Sequence, residues 1–134
     1  MISTIIQGGD IVNWEFQSDR PIYTQLVEQI KLRIISGVYK PGDKLPSVRD
    51  FAQEAAVNPN TMQRALAELE KDGLVYSQRT SGRFITEDRD MIKKVKDNLA
   101  LKEITAFLEK MKMLGFDKEE MVLIMKNMVK EMEA

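Results

Sequence analysis

The chain of 134 residues contains neither cysteine nor histidine. The absence of cysteine excludes disulfides, thiolate nucleophiles and zinc–sulfur sites. The absence of histidine removes the most common general base and the most common metal ligand. The remaining acid–base groups are carboxylates scattered among basic residues at helical spacing, which is more typical of a solvated face. We therefore expect no enzyme, no metal site and no cofactor.

Long apolar runs are also absent. No run approaches the ~20 apolar residues that a membrane span needs, and no charged segment followed by a continuous apolar one begins the chain. With 43% hydrophobic and 31% charged residues, the composition is that of a globular protein. The length allows one ordinary domain and a small appendage, and we expect a cytoplasmic protein.

The formal net charge is only −1, but the charges are unevenly distributed. Residues 19–86 carry ten bases and eight acids, whereas residues 1–18 carry two acids and no base. Residues 87–134 carry ten bases and eleven acids. A local basic patch, rather than the total charge, sets the attraction to phosphates. The middle of the chain is therefore compatible with nucleic-acid binding.

The first part of the chain predicts a strand followed by a helix. Residues 11–16 alternate apolar and polar side chains, which indicates one β-strand. Ser18 or Asp19 is an expected N-cap for the helix, and Pro21 suits its first turn. Apolar residues then repeat every four positions until Gly37, at Ile22, Leu26, Ile30 and Ile34.

Two short helices are predicted next, after a segment rich in proline and turns. Ser47 is placed to cap the first, and Asp50 three positions later approximates a capping box. Asn58 is placed to cap the second, with Pro59 at the first helical position, where its missing N–H costs nothing. Gly73 is expected to end this second helix.

The second short helix has two different faces at 100° per residue. The inner arc contains Met62, Ala65, Leu66 and Leu69, and the outer arc contains Asn60, Arg64, Ala67 and Lys71, flanked by Thr61 and Gln63. Asparagine, glutamine and arginine can make paired hydrogen bonds to base edges in the major groove, which is ~12 Å wide and admits one helix. Acidic residues lie toward the C-terminus, so we expect the N-terminus to enter the groove.

A hairpin with a basic, glycine-containing tip is predicted by strands at 74–76 and 83–85. Two helices joined by a short turn and followed by such a hairpin indicate a winged helix-turn-helix domain, here residues 1–87. The expected DNA-binding residues are Ser47, Arg49, Asn58, Asn60, Thr61, Gln63, Arg64, Arg79, Ser81, Gly82 and Arg83. Taken singly, each also has a purely structural interpretation as a helix cap, a turn residue or a solvated charge.

Residues 88–134 predict two longer helices separated by Gly115, the second starting at Asp117 with Glu120 in a capping-box position. One apolar stripe on each helix cannot enclose a core, so we expect a second copy of the chain to cover them. The expected dimerisation residues are Leu99, Ile104, Phe107, Leu108, Met111, Met121, Ile124, Met125 and Met128. Seven of the nine methionines lie here. Packing is favoured over a copper(I) site, because no cysteine or histidine is available.

Residues 41–85, PGDKLPSVRDFAQEAAVNPNTMQRALAELEKDGLVYSQRTSGRFI, resemble the DNA-binding domain of GntR-type bacterial transcription regulators. The resemblance extends upstream through residues 21–26, and the segment 57–61 points to the YtrA-like subfamily. It implies that Arg49, the polar first turn of the recognition helix and the wing-tip Gly82 touch an operator. Many GntR regulators have arginine at the positions of Pro59 and Gln63, so those two contacts are not carried over.

The resemblance implies an α+β, mostly helical fold and a short helical tail used for dimerisation. A twofold protein predicts a palindromic operator with half-sites about one helical turn apart. We expect a homodimeric transcription regulator that acts as a repressor by occupying a promoter. The alternative is a winged-helix module for protein–protein association without DNA binding. Whether a small-molecule effector binds is left open, since about forty-five residues follow the wing, too few for the large effector domain of most GntR regulators.

Overall fold

A computed structural model of the chain describes residues 6–7, 10–11 and 13–132. Over these residues the elements, in chain order, are β1 (Ile6–Gln7), β2 (Asp10–Ile11), α1 (Ile22–Ile35), α2 (Val48–Ala55), α3 (Pro59–Lys71), β3 (Val75–Gln78), β4 (Gly82–Ile85), α4 (Arg89–Met113) and α5 (Lys118–Met132). The expected α+β, mostly helical fold is confirmed. Among the described residues, no helix combines the length and apolarity needed to cross a membrane.

The chain divides into two compact units, Met1–Val95 and Lys96–Ala134. The core of the first unit lies between α1, α2, α3 and the β3–β4 hairpin, and the predicted inner arc of α3 is completely buried in it. Met91, Ile92 and Val95, at the start of α4, pack against the same core. The first turns of α4 therefore belong to the first unit, because their apolar side chains complete its core.

The strand expected over residues 11–16 is wrong beyond Ile11, and Val12 lies outside the described residues. Asp10 and Ile11 pair antiparallel with Gln7 and Ile6, in a two-residue ladder. Residues 13–17 have no regular secondary structure. The alternation of this segment instead reflects half-buried Trp14 and Phe16, which pack against the core.

Side chains of α1 take the place of a partner strand for this segment. Gln25 Nε2 donates to the carbonyl of Gln17 at 2.8 Å, and Gln29 Nε2 donates to that of Glu15 at 2.6 Å. Arg33 Nη2 donates to the carbonyl of Asn13 at 3.3 Å. Two residues of extended chain span about 6.6 Å and four residues of helix about 6 Å, so the two spacings match. Every second carbonyl of residues 13–17 therefore accepts a hydrogen bond from every fourth side chain of α1.

The expected side-chain cap of α1 is also wrong. Pro21 occupies the N-cap position, and no side chain caps the helix there. Gln25 Nε2 also donates to the carbonyl of Arg20 at 2.9 Å, so the chain before α1 is held by the helix itself. Ser18 and Asp19 are exposed.

The other predicted caps are confirmed. The backbone N–H of Asp50 donates to Ser47 Oγ at 3.2 Å, at the start of α2. In the reciprocal capping box of α5, the N–H of Glu120 donates to Asp117 Oδ1 at 2.9 Å, and the N–H of Asp117 donates to Glu120 Oε1 at 3.1 Å. Each cap satisfies a helix N–H that lacks an intrahelical partner, and so fixes where its helix begins.

Because of Tyr39, the stability of this core is expected to fall at alkaline pH. Burial raises the pKa of Tyr39 to about 12, while Arg33 acts to lower it and Glu54 to raise it further. Because this folded-state pKa lies above the unfolded value of ~10, the neutral phenol stabilises the fold fully below pH ~10. That stabilisation is lost as the pH rises through about 12. We expect urea midpoints to fall more steeply between pH 10 and 12 for the wild type than for Tyr39→Phe, and equal slopes would contradict this.

Candidate nucleic-acid interface

The turn between α2 and α3 places the start of α3 at the surface. Ala56 ends α2 with a left-handed backbone conformation, at φ 57° and ψ 45°. The N–H of Val57 donates to the carbonyl of Ala52 at 2.9 Å, and this bond closes the turn. The N–H of Asn60 donates to Asn58 Oδ1 at 2.8 Å. The cap predicted at Asn58 is therefore confirmed, and its side-chain oxygen is already occupied.

The outer arc of α3 is open to solvent, as the sequence predicts. Exposed side chains on this helix include Asn60, Gln63, Arg64, Ala67 and Lys71, whereas Thr61 is half-buried. No acidic residue lies in the first turn. The positive end of the helix dipole therefore favours an anion such as a phosphate at this end.

Arg64 is held in a defined place on this arc. Its guanidinium carbon lies 3.6 Å from the ring centroid of Tyr23, which is in the first turn of α1. Within the described part of the chain, Arg64 forms no ion pair. Tyr23 cannot be predicted as a neighbour from the sequence, because nothing in the spacing of α1 and α3 fixes which of their residues meet.

The wing is the β3–β4 hairpin, with Val75 opposite Ile85 and Gln78 opposite Gly82. The rings of Tyr76 and Phe84 stack across the two strands, with centroids 5.7 Å apart. Gly82 has φ 109°, a conformation that side chains other than glycine rarely adopt. Its place in the turn is therefore explained by the backbone, whether or not it touches DNA.

Lys44 adds a cation to the wing and is not among the residues predicted from the sequence. It forms an isolated antiparallel bridge with Phe84, flanked by two hydrogen bonds between the chains. The N–H of Leu45 donates to the carbonyl of Arg83 at 2.9 Å, and that of Ile85 donates to the carbonyl of Asp43 at 2.8 Å. Lys44 Cε lies 3.4 Å from the position that a Cβ on Gly82 would occupy. The one sign of this bridge in the sequence is that Lys44 and Leu45 precede Pro46, since a residue before proline favours extended backbone.

The two wing arginines differ in their surroundings. Arg83 Nε donates to Glu70 Oε1 of α3 at 3.3 Å, and the hydroxyl of Ser77 donates to the same oxygen. The side chains of Arg83 and Glu70 are only 19% and 29% exposed. Arg79 is exposed, without an ion pair to any described residue. Arg83 therefore fastens the wing to α3, whereas Arg79 keeps its charge available.

The remaining expected contacts lie at the start of α2 and in the wing turn. Ser47 caps α2 and Arg49 is exposed in the first turn of that helix. Ser81 is exposed in the wing turn, where its N–H donates to the carbonyl of Gln78 at 3.2 Å. Exposed cations thus lie on α2, on α3 and on the wing.

The chain is similar to known proteins over the interface and beyond it. The family model for bacterial regulatory proteins of the gntR family matches residues 22–85. The HTH-type transcriptional regulator YhcF of Bacillus subtilis is 44% identical over 108 residues, covering 81% of this chain and 89% of YhcF. The HTH-type transcriptional repressor YtrA of the same organism is 39% identical over 101 residues, covering 75% of this chain and 73% of YtrA. A GntR family transcriptional regulator from Listeria monocytogenes, 39% identical, matches with a TM-score of 0.79 over 84% of this chain and 98% of that one.

Proposed function

Because this chain belongs to the GntR family of bacterial regulatory proteins, we propose that it represses transcription by binding a palindromic operator as a homodimer. Members of this family are DNA-binding transcription regulators, not enzymes. The observation that carries the proposal is the exposed polar arc of α3, which begins at a capped N-terminus and has a cationic wing beside it in the same unit. A protein that acts on chromosomal DNA works in the cytoplasm, where we place it.

The chemistry of α3 favours insertion of its N-terminal half into the major groove. Asn60, Gln63 and Arg64 carry the side-chain types that bond adenine and guanine edges in pairs. Ala67 keeps the outer face narrow, because its side chain is a single methyl group. The acidic residues lie at the C-terminal end of α3, where they would repel phosphates: Glu68 and Glu70 are in the helix, and Asp72 is its C-cap.

We assign phosphate contacts to cations that pair with no carboxylate of the described residues. Arg49, Arg79 and Lys44 are exposed and form no ion pair with any described residue. Arg83 is a weaker candidate for a phosphate contact than its position in the sequence suggested, because its ion pair with Glu70 offsets its positive charge. Phosphate contacts position the protein on the duplex, whereas the arc of α3 would select the sequence.

The homodimer is supported by the apolar surface of the second unit. Of its described residues, only Met111 and Met121 are buried within the single chain. Large apolar side chains exposed by 43–87% include Leu101, Ile104, Phe107, Met113, Leu114, Val122, Leu123, Met128, Val129 and Met132. So much apolar surface on so short a segment marks an interaction site. A second copy offers the same surface, and an isologous pair would bury both at once.

The proposed repressor role is supported by a relative. YtrA, which resembles this chain over most of both sequences, is described as a transcriptional repressor. A dimer with two recognition helices would repress most simply by occupying a promoter. Sequencing the genomic DNA fragments that the purified protein retains tests the proposal, because it yields the site and its symmetry. Enrichment of no common site would favour the protein-association module instead.

Substitutions in α3 and the wing are expected to act differently on that site. Arg64→Ala should weaken binding to the selected operator by ~1–3 kcal/mol and relax specificity at one base pair.

Arg79→Ala should lower the slope of log K against log salt by about one unit, on operator and random duplexes alike. Both are measured by fluorescence anisotropy over a salt series.

Lys118→Ala, which removes one charge from α5, is the control for these variants. Its affinity and salt slope should equal those of the wild type. If Arg64→Ala and Arg79→Ala also bind the operator as the wild type does, α3 and the wing are not the DNA-binding surface.

A further inference from the structure

We propose that Tyr23 is a positioning residue that holds the Arg64 guanidinium ready to read a base. The inference rests on the proposed function, since it assigns a role within the same DNA-binding surface. Tyr23 lies on α1, outside both helices of the helix-turn-helix and outside the wing. Its ring is half-buried, and the guanidinium carbon of Arg64 lies 3.6 Å from the ring centroid.

The geometry of the stack leaves the hydrogen-bonding edge of Arg64 free. A guanidinium is planar, with five N–H donors that all lie in its plane. The guanidinium carbon lies 3.6 Å from the ring centroid, which is contact distance, so the ring covers one side of the guanidinium. No hydrogen bond to a described residue occupies its donors, so they can approach N7 and O6 of a guanine on the side away from the ring.

Two other arginines with a defined partner show what is different about Arg64. Arg33 also stacks on an aromatic ring, with its carbon 3.4 Å from the ring centroid of Trp14, but it is buried and donates to backbone carbonyls. Arg83 donates to Glu70. Arg64 combines an aromatic support with an exposed side chain and, among the described residues, no ion pair.

The expected consequence is for base-specific affinity rather than for phosphate binding. Arginine loses much rotamer freedom when it is fixed against a base, and a side chain that is already fixed loses less. A cation–π contact at an exposed site corresponds to about a two- to fivefold change in an equilibrium constant. Non-specific binding to random DNA depends on charge, which Tyr23 does not carry, and so should not change.

The test uses the full chain, the operator duplex recovered from the genomic pool and a random duplex of equal length. We expect Tyr23→Leu to bind the operator about two- to fivefold more weakly and the random duplex unchanged. Tyr23→Phe, which keeps the ring, should bind both as the wild type does. In the double-mutant cycle, Tyr23→Leu should have no effect once Arg64 is replaced by alanine.

Relaxation of the arginine side-chain Nε–H groups in the DNA-free protein supplies a readout that does not depend on the stability of any variant. In the wild type, Arg64 should show a higher order parameter than Arg49, for which no aromatic partner lies among the described residues. An Arg64 value no higher than that of Arg49 would overturn the inference.

The outcomes separate the inference from the proposed function. If the genomic selection yields no operator, the proposed function fails. If an operator is found but Tyr23→Leu weakens operator and random duplexes equally, or still acts in the Arg64→Ala background, Tyr23 merely supports the fold and the inference is overturned. Unchanged operator affinity in Tyr23→Leu overturns it as well.

Discussion

Replacing Ile104 by glutamate is expected to convert the proposed dimer to a monomer and to weaken operator binding by at least about a hundredfold. Ile104 is 49% exposed in the single chain, so the substitution leaves the fold of one subunit intact. In the proposed dimer, however, the new carboxylate would be buried against apolar side chains without a partner, which is strongly unfavourable. Two half-sites would then be bound independently, and the gain from linked binding would be lost.

Sedimentation equilibrium gives the mass, and anisotropy with the selected operator gives the affinity. Ala106→Glu is the matched control, because it adds the same charge to α4 two positions further on, about 200° around the helix. It should remain a dimer with wild-type affinity. A dimeric Ile104→Glu variant would show that the pair forms elsewhere, and a monomer with undiminished affinity would show that the operator is read by one subunit.

Replacing Phe51 by alanine is expected to destabilise the first unit by ~3–5 kcal/mol. Phe51 has no exposed surface, and it packs edge-on against two rings. Its centroid lies 5.7 Å from that of Trp14 and 6.1 Å from that of Tyr39. The variant would lose the buried ring, leave a cavity and lose both edge-to-face contacts. A domain of this size is stable by only ~5–15 kcal/mol, so the loss is a large fraction of the total.

Urea unfolding followed by circular dichroism, at one fixed protein concentration, measures this effect. Phe51→Leu keeps most of the volume and should cost less than half as much. Because Phe51 lies in α2, its loss should also abolish operator binding at temperatures where the wild type still binds. A change below ~1 kcal/mol for Phe51→Ala would mean that the aromatic cluster does not organise this core.

Local chemistry made much of the DNA-binding unit readable from the sequence. Ser47, Asn58 and Asp117 were correctly identified as caps, because a cap needs only a side-chain oxygen and the N–H two or three residues later. The inner arc of α3 followed from helical period alone. The strand predicted over residues 11–16 was wrong for a related reason: alternation shows which side chains are buried, but not what satisfies the backbone between them.

Partners distant in the sequence were not readable in this way. Arg83 and Arg79 look equivalent in the hairpin, yet only Arg83 meets Glu70. Lys44 joins the wing through a bridge to Phe84, forty residues later. Tyr23 and Arg64 are separated by a similar stretch of chain. Each pairing depends on how helices and strands are set against one another, which no periodicity encodes.

The sequence by itself determined where α2 and α3 begin, which side of α3 is polar and that the tail carries more apolar surface than one chain can cover. Caps and periodicity act over four residues or fewer, so they are written directly in the order of side chains. The tertiary structure alone decided which cations stay available and which are tied to a carboxylate or a ring. Those contacts join residues far apart in the chain, and only the packing of the core brings them within a few ångströms.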